Sequence, residues 1–177
     1  MITNTLIIDK KLPAFKLRGW IMEQLFRWSY PVYGAIFKRR QKGWCRTKQQ
    51  LGDSPPGSLG KEVYYFLNSQ DFEILPKFED HDTLHVLLGY STHVVDEVRM
   101  QFCLLGNGKR SIYLYGVVCI GWLAFPECWH LFTEAIKRGR AMMPVHRWKF
   151  EHLLREPLFL LRNAMKGLPS EDVPLFI

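Results

Sequence analysis

Apolar residues recur at helical spacing along most of this 177-residue chain, and no segment shows the strict alternation of a strand or the turn of a hairpin. Residues 13–40 mix apolar and basic positions. Trp20, Ile21, Leu25 and Trp28 form a helical stripe that Pro31 ends or bends, and Val32–Phe37 then runs into Lys38-Arg39-Arg40. Gly52–Ser58 is a turn, with Ser58 placed to cap a helix over Leu59–Leu67. After a loop at 68–77, a short helix is expected from Asp80, as N-cap, to Leu88, with Gly89 as a left-handed C-cap. Ser91 or Thr92 opens the next helix, which runs to about Leu105 and ends at Gly106-Asn107-Gly108.

Ile112–Phe125 follows, fourteen residues without a charge, closed by Pro126. That is short of the ~20 residues a membrane span needs. A buried helix, or one wall of an apolar cavity, is expected there. Glu127–Arg138 is amphipathic and ends at Gly139, and a last helix over Val145–Met165 carries Trp148, Leu153, Leu154, Phe159, Leu160 and Leu161. The chain therefore reads as all-α: a single compact helical domain with an apolar cavity between helices. Residues 51–177 form its body, and residues 1–50 a basic, aromatic-rich N-terminal segment.

Charge sharpens that division. The formal net charge is +7, and residues 10–48 hold eleven Lys or Arg against one acid, Glu23. The positive field suits an anionic membrane surface or an acidic partner. Either an ordinary core-packed helix or an interfacial one accounts for the stripe at residues 20–28. No nucleic-acid motif accompanies the basic residues, so a nucleic-acid partner is not expected. Cys45, Cys103, Cys119 and Cys128 show no CxxC spacing, and three of them lie in apolar helical sequence. Free buried thiols in a reducing compartment are expected. Met1–Leu12 lacks the apolar run of a secretory leader.

The candidate chemistry is concentrated in His81-Asp82-Thr83-Leu84-His85, followed after eleven residues by Glu97. Histidines at i and i+4 project from one helix face, so their imidazoles can converge on one ion, and nearby carboxylates can complete the shell. Two imidazoles with one or two carboxylates suit zinc, iron or another first-row ion better than magnesium. The general base of a His-Glu-x-x-His protease is absent. The bland alternative is a helix start followed by an ordinary core histidine. His93, His130, His146 and His152 have no partner spacing, and Glu151 faces either way by pattern.

The stretch His81-Asp82-x-x-His85-x₁₁-Glu97 resembles the signature of the coenzyme Q biosynthesis protein four family. Pro56-Gly57-Ser58-Leu59-Gly60-Lys61-Glu62, Leu87-Leu88-Gly89, Gly139-Arg140 and Pro157-Leu158 with Leu161-Arg162 are similar to further family segments. The resemblance covers roughly residues 55–162, is tightest in the metal motif, and is that of a divergent bacterial member. The spacer before His81 is shorter than is usual in the family.

The resemblance implies an all-helical fold and a divalent metal, zinc foremost with iron, cobalt or magnesium as alternatives. Its ligands and catalytic residues would be His81, Asp82, His85 and Glu97. It also implies an apolar cavity for a polyprenyl lipid or quinone precursor. The implied role lies in ubiquinone biosynthesis, at the cytoplasmic face of the inner membrane. There the protein is a homo-oligomer alongside other quinone-biosynthesis proteins. Two forms of the role follow: an enzyme that replaces a ring C1 carboxylate by hydroxyl, or a non-catalytic scaffold that binds the prenyl lipid.

Overall fold

In the computed structural model, which describes residues 14–25 and 43–167, helices follow one another without a strand among the described residues. Helix α1 covers residues 14–25. The later helices are α2 (Lys48–Gly52), α3 (Leu59–Ser69), α4 (Glu79–Leu88), α5 (Val94–Gly106), α6 (Ile112–Ala124), α7 (Trp129–Arg140), α8 (Phe150–Leu153) and α9 (Leu158–Met165). Short 3-10 turns at Pro126–Cys128 and Val145–Arg147 lead into α7 and towards α8. The expected all-α domain is what forms. Trp28 and the 32–40 patch lie outside the described residues.

Local chemistry explains most helix ends. Thr47 and Gln50 close a reciprocal capping box on α2. The hydroxyls of Ser58 and Ser111 accept from Lys61 N–H and Leu114 N–H. Gly89 takes φ 70° after α4, the left-handed cap its sequence position predicts. Two expected starts move. Asp80 does not cap α4; it sits inside the first turn with Glu79 and Asp82, where acids favour the positive end of the helix dipole. Neither Ser91 nor Thr92 opens α5. Ser91 instead bonds Asp96 through its hydroxyl, and His93 takes the N-cap position.

The most extensive helix pairing joins α5 to α7. Glycine at the crossing lets the two backbones approach, because a Cβ on Gly106 or Gly139 would collide with the Ile136 or Cys103 carbonyl. Phe102 stacks on Phe132 beside it, with centroids 4.6 Å apart. Asn107, buried at the end of α5, donates its side-chain amide to the Gly139 and Met143 carbonyls.

The last expected helix is broken. Its chain folds as the 3-10 turn, α8 and α9, because Pro157 disfavours helical backbone just before it and its neighbours pair elsewhere. The Leu59 and Gly60 amides, left over at the start of α3, donate to the Glu156 and Leu154 carbonyls, and the Leu158 amide donates to Gly57. A single antiparallel bridge, Ser58 to Pro157, results.

Helix α6 also departs from expectation. Only Leu114, Val117 and Gly121 are buried, and much of the uncharged helix faces outward. A helix that is apolar all round cannot place every side in a small core; one side meets α5, where Gly121 abuts Val98. Cys119 is therefore exposed, as is Cys45, whereas Cys103 and Cys128 are buried free thiols.

These contacts predict opposite effects for two glycines. Gly139→Ala should lose about 1–3 kcal/mol in urea unfolding through overpacking. Gly116→Ala, where a Cβ meets nothing within 4 Å, should be neutral or slightly stabilising. Equal midpoints for the two variants would show that the α5–α7 crossing does not depend on Gly139.

Candidate metal centre

Helix α4 places His81 and His85 one turn apart, and the Gly89 cap returns the chain so that α5 can present Glu97 to them. The imidazole Nε2 atoms lie 3.2 Å apart. Glu97 Oε2 lies 3.0 Å from His85 Nε2 and 3.5 Å from His81 Nε2. A tetrahedral ion with ligand bonds of about 2.0–2.1 Å sets ligand–ligand separations of roughly 3.3 Å. The three donors therefore already stand close to the edge lengths of such a shell, and they form a group able to hold a metal ion.

The surroundings fix the donors in place. His85 is buried, and its Nδ1 faces the Tyr90 carbonyl at 3.2 Å. When Nδ1 carries the proton and donates it there, the Nε2 lone pair is left for the ion. Phe66 stacks on the ring at 5.5 Å. Gln101, buried one turn along α5, donates to Glu97 Oε1 at 3.1 Å and leaves Oε2 pointing at the histidines. On α4, the side-chain carboxylate of buried Glu79 accepts the Trp44 amide at 3.0 Å, and its main-chain carbonyl accepts the Thr83 hydroxyl at 2.8 Å.

Asp82 stands apart from the three converging atoms but within reach of their charges. Burial pushes its carboxyl up to about 6, aided by Glu97 and Glu79 and opposed by His81 and His85. For His85, burial is the largest influence and pushes the pKa down. The hydrogen bond and charge of Glu97, the Tyr90 carbonyl and Asp82 outweigh it, so the net shift is upward. Burial pushes Glu97 up, yet the charge on His81 and the bonds to both histidines hold it well below the usual carboxylate range.

His93 is exposed and caps no amide, and His146 pairs with Asn107 Oδ1. Neither joins the cluster, and neither do His130 and His152. Sequence reasoning missed Tyr90, Phe66 and Gln101. Gln101 was findable, because it lies four residues after Glu97 on one helix face. Phe66 carried no such signal, since its contact with His85 depends on how α3 packs on α4.

A groove of about 1050 Å³, open to the surface and lined by charged as well as apolar side chains, reaches Tyr90 without including His81, His85 or Glu97; it is not the apolar cavity between helices that the sequence leads one to expect. Its walls include Phe15 and Trp20 of α1, Val94 and Arg99 of α5, and Arg138 of α7. Of the uncharged stretch 112–125 expected to wall the cavity, Phe125 lies on it, whereas the last helix does not. Tyr90 joins the two places: its carbonyl faces His85, and its ring lies between the Arg99 and Arg138 guanidiniums at 5.5 and 5.0 Å.

The fold is similar to that of a crystal structure from Nostoc punctiforme, of a protein provisionally described as a ubiquinone biosynthesis protein. The likeness has a TM-score of 0.56 at 16% identity and covers 89% of this chain and 83% of that one. No family model matches the sequence, and no curated protein does. The chain thus shares the architecture of a protein linked to quinone biosynthesis, and it carries a His/Glu group that can hold a metal.

Two outcomes test the cluster. His85→Ala should bind well under one equivalent of zinc by elemental analysis, and full retention would rule out the site as drawn. The second concerns pH. In metal-free protein, the stability that raised His85 contributes is complete below its ordinary 6.5 and is lost as pH rises through its folded value. Asp82, raised from 3.8 to about 6, acts in the same direction over that interval. Glu97 acts oppositely, but only where pH falls below 4.5 towards its lowered value. Metal needs deprotonated ligands, so the rise in Tm on adding zinc should be larger at about pH 8 than at about pH 6. A larger rise at the lower pH would contradict this.

Proposed function

We propose that this is a metal-dependent protein of prenylquinone biosynthesis, acting on a prenylated hydroxybenzoate at the membrane face. The observation that carries this reading is the convergence of His81, His85 and Glu97 at metal-binding separations, within a fold shared with a protein linked to ubiquinone biosynthesis. Two imidazoles and a carboxylate favour zinc or iron over magnesium, with cobalt also compatible. Asp82 is proposed as a further ligand, since it lies near enough to feel the charges of the other three.

A divalent ion bound there supplies a Lewis acid that stabilises charge developing on the ring substituents. The chain's own residues do the rest. Tyr90 and Gln101 hold the donors His85 and Glu97 in register. The apolar part of the groove takes the tail, each buried CH₂ contributing about 0.8 kcal/mol.

The proposed net change replaces the ring carboxyl by hydroxyl, with dioxygen as oxidant. ArCO₂H, O₂ and H₂O give ArOH, CO₂ and H₂O₂. The carbon–carboxyl bond breaks, water supplies the new hydroxyl oxygen, and dioxygen takes up two electrons and two protons.

Purified metal-loaded protein, given prenylated 4-hydroxybenzoate in air, should release CO₂ and peroxide in equal amounts. Glu97→Gln should lower the rate by about tenfold or more, as expected when a group that holds catalytic charge is lost. Stoichiometric lipid binding with no CO₂ would instead favour the non-catalytic scaffold.

A further inference from the structure

Helix α5 buries Val98, Met100, Phe102, Cys103 and Leu104, yet among them it carries an amide, Gln101, that is only 2% exposed. A buried amide without a partner is costlier than an apolar side chain of the same size. Gln101 sits four residues after Glu97, so the two side chains share one face of the helix. The Gln101 side-chain N–H donates to Glu97 Oε1 at 3.1 Å. Glu97 Oε2 is the oxygen turned to His85 Nε2 at 3.0 Å and to His81 Nε2 at 3.5 Å. One hydrogen bond thus gives the two oxygens of a single carboxylate different tasks.

We infer that Gln101 makes Glu97 a one-oxygen ligand and so selects a small, four-coordinate ion over a larger, six-coordinate one. Gln101 is a positioning residue, because it acts on the ion only through Glu97. The inference rests on the metal-dependent reading of His81, His85 and Glu97, and adds the class of ion that the site accepts.

A carboxylate can offer an ion one oxygen or two. Two-oxygen binding raises the coordination number and suits large ions that prefer oxygen, whereas zinc takes four ligands in a tetrahedron. To offer both oxygens, Glu97 would have to turn away from Gln101 and leave the buried amide unpaired. Water has little access to compete for Oε1, since the Glu97 side chain is itself only 12% exposed.

The donor is also fixed in place. Its neighbour Phe102 stacks on Phe132 of α7 with centroids 4.6 Å apart, and the Cys103 carbonyl abuts Gly139. The stretch of α5 that carries Gln101 is therefore locked against α7, and the amide cannot follow Glu97 if the carboxylate turns. Tyr90 plays the matching part for His85, whose Nδ1 faces its carbonyl. Two of the three donors are thus held from outside the cluster.

The test compares zinc with manganese on the full-length protein. Gln101→Met keeps the length of the buried side chain and removes the donor. Zinc affinity, read by competition with a chromophoric chelator, should fall about tenfold or more, as is usual when a hydrogen bond to a metal ligand is lost. Manganese affinity, read from the electron paramagnetic resonance of the free ion, should hold or rise, because Oε1 is then free to join a six-coordinate shell. The ratio of the two affinities should therefore narrow by about tenfold or more. Equal losses for both ions would show Gln101 to be merely structural and overturn the inference, as would an unchanged zinc affinity. Circular dichroism checks that the variant folds. If it does not, the parent decides. Cobalt bound to the parent should show the intense visible absorption of a four-coordinate ion, and the weak absorption of a six-coordinate one would overturn the inference. A parent that takes up none of the three ions removes the metal-dependent reading and this inference with it. Stoichiometric zinc with an unchanged affinity ratio removes only the role of Gln101.

Discussion

A buried imidazole must satisfy both of its nitrogens, and much of this molecule is arranged around that requirement at His85. One nitrogen faces the Tyr90 carbonyl, which comes within reach because Gly89 reverses the chain in left-handed backbone. The other faces Glu97 and His81. Burying a carboxylate and two imidazoles together costs several kcal/mol unless their charges and hydrogen bonds are matched. Here they are matched to one another, to Gln101 and to the aromatic face of Phe66. A divalent ion held by the three donors would replace repulsion among lone pairs by coordination, which would account for polar groups crowded at ~3 Å.

The position of α4 depends in turn on segments far away in the chain. Arg138 from α7 donates to the Leu88 carbonyl, and Arg162 from α9 to those of Val86 and Leu87. Two cations thus cap the negative end of the helix that carries both histidines. Arg162 is set by α9, whose start is pinned where Leu158 donates to Gly57 and Leu59 to Glu156. Gly57 supplies a positive φ and Ser58 the cap, while Gly60 leaves no room for a Cβ against Ser54 and the Leu154 carbonyl. The Pro56–Glu62 and Pro157–Arg162 segments, widely separated in sequence, are therefore one structural unit that fixes the orientation of α4.

Much of this was legible in the residues. The i, i+4 histidines, the Gly89 cap and the Ser58 cap are local signals, and each forms where the spacing predicts it. Glu97 was legible as a carboxylate on the following helix, though not its aim at Nε2. What escaped was set by tertiary contacts. Asp80 loses the cap position because the α4 backbone begins two residues earlier, where Glu79 holds Trp44. The last helix breaks because Pro157 coincides with a long-range pairing that no local pattern announces. Helix α6 reads as core from its composition, but composition does not say how many neighbours a helix will have. The docking of α1 at the end of α6, where Arg18 donates to the Ala124 carbonyl, is likewise a long-range contact without a local signal.

Coordination by His85 is the central property of the proposed metal centre. X-ray absorption spectroscopy of the zinc-loaded protein tests it most directly. The predicted first shell contains nitrogen and oxygen at about 2.0–2.1 Å, with the outer-shell scattering of two imidazoles. A shell dominated by sulfur at about 2.3 Å, or one without imidazole scattering, would contradict it.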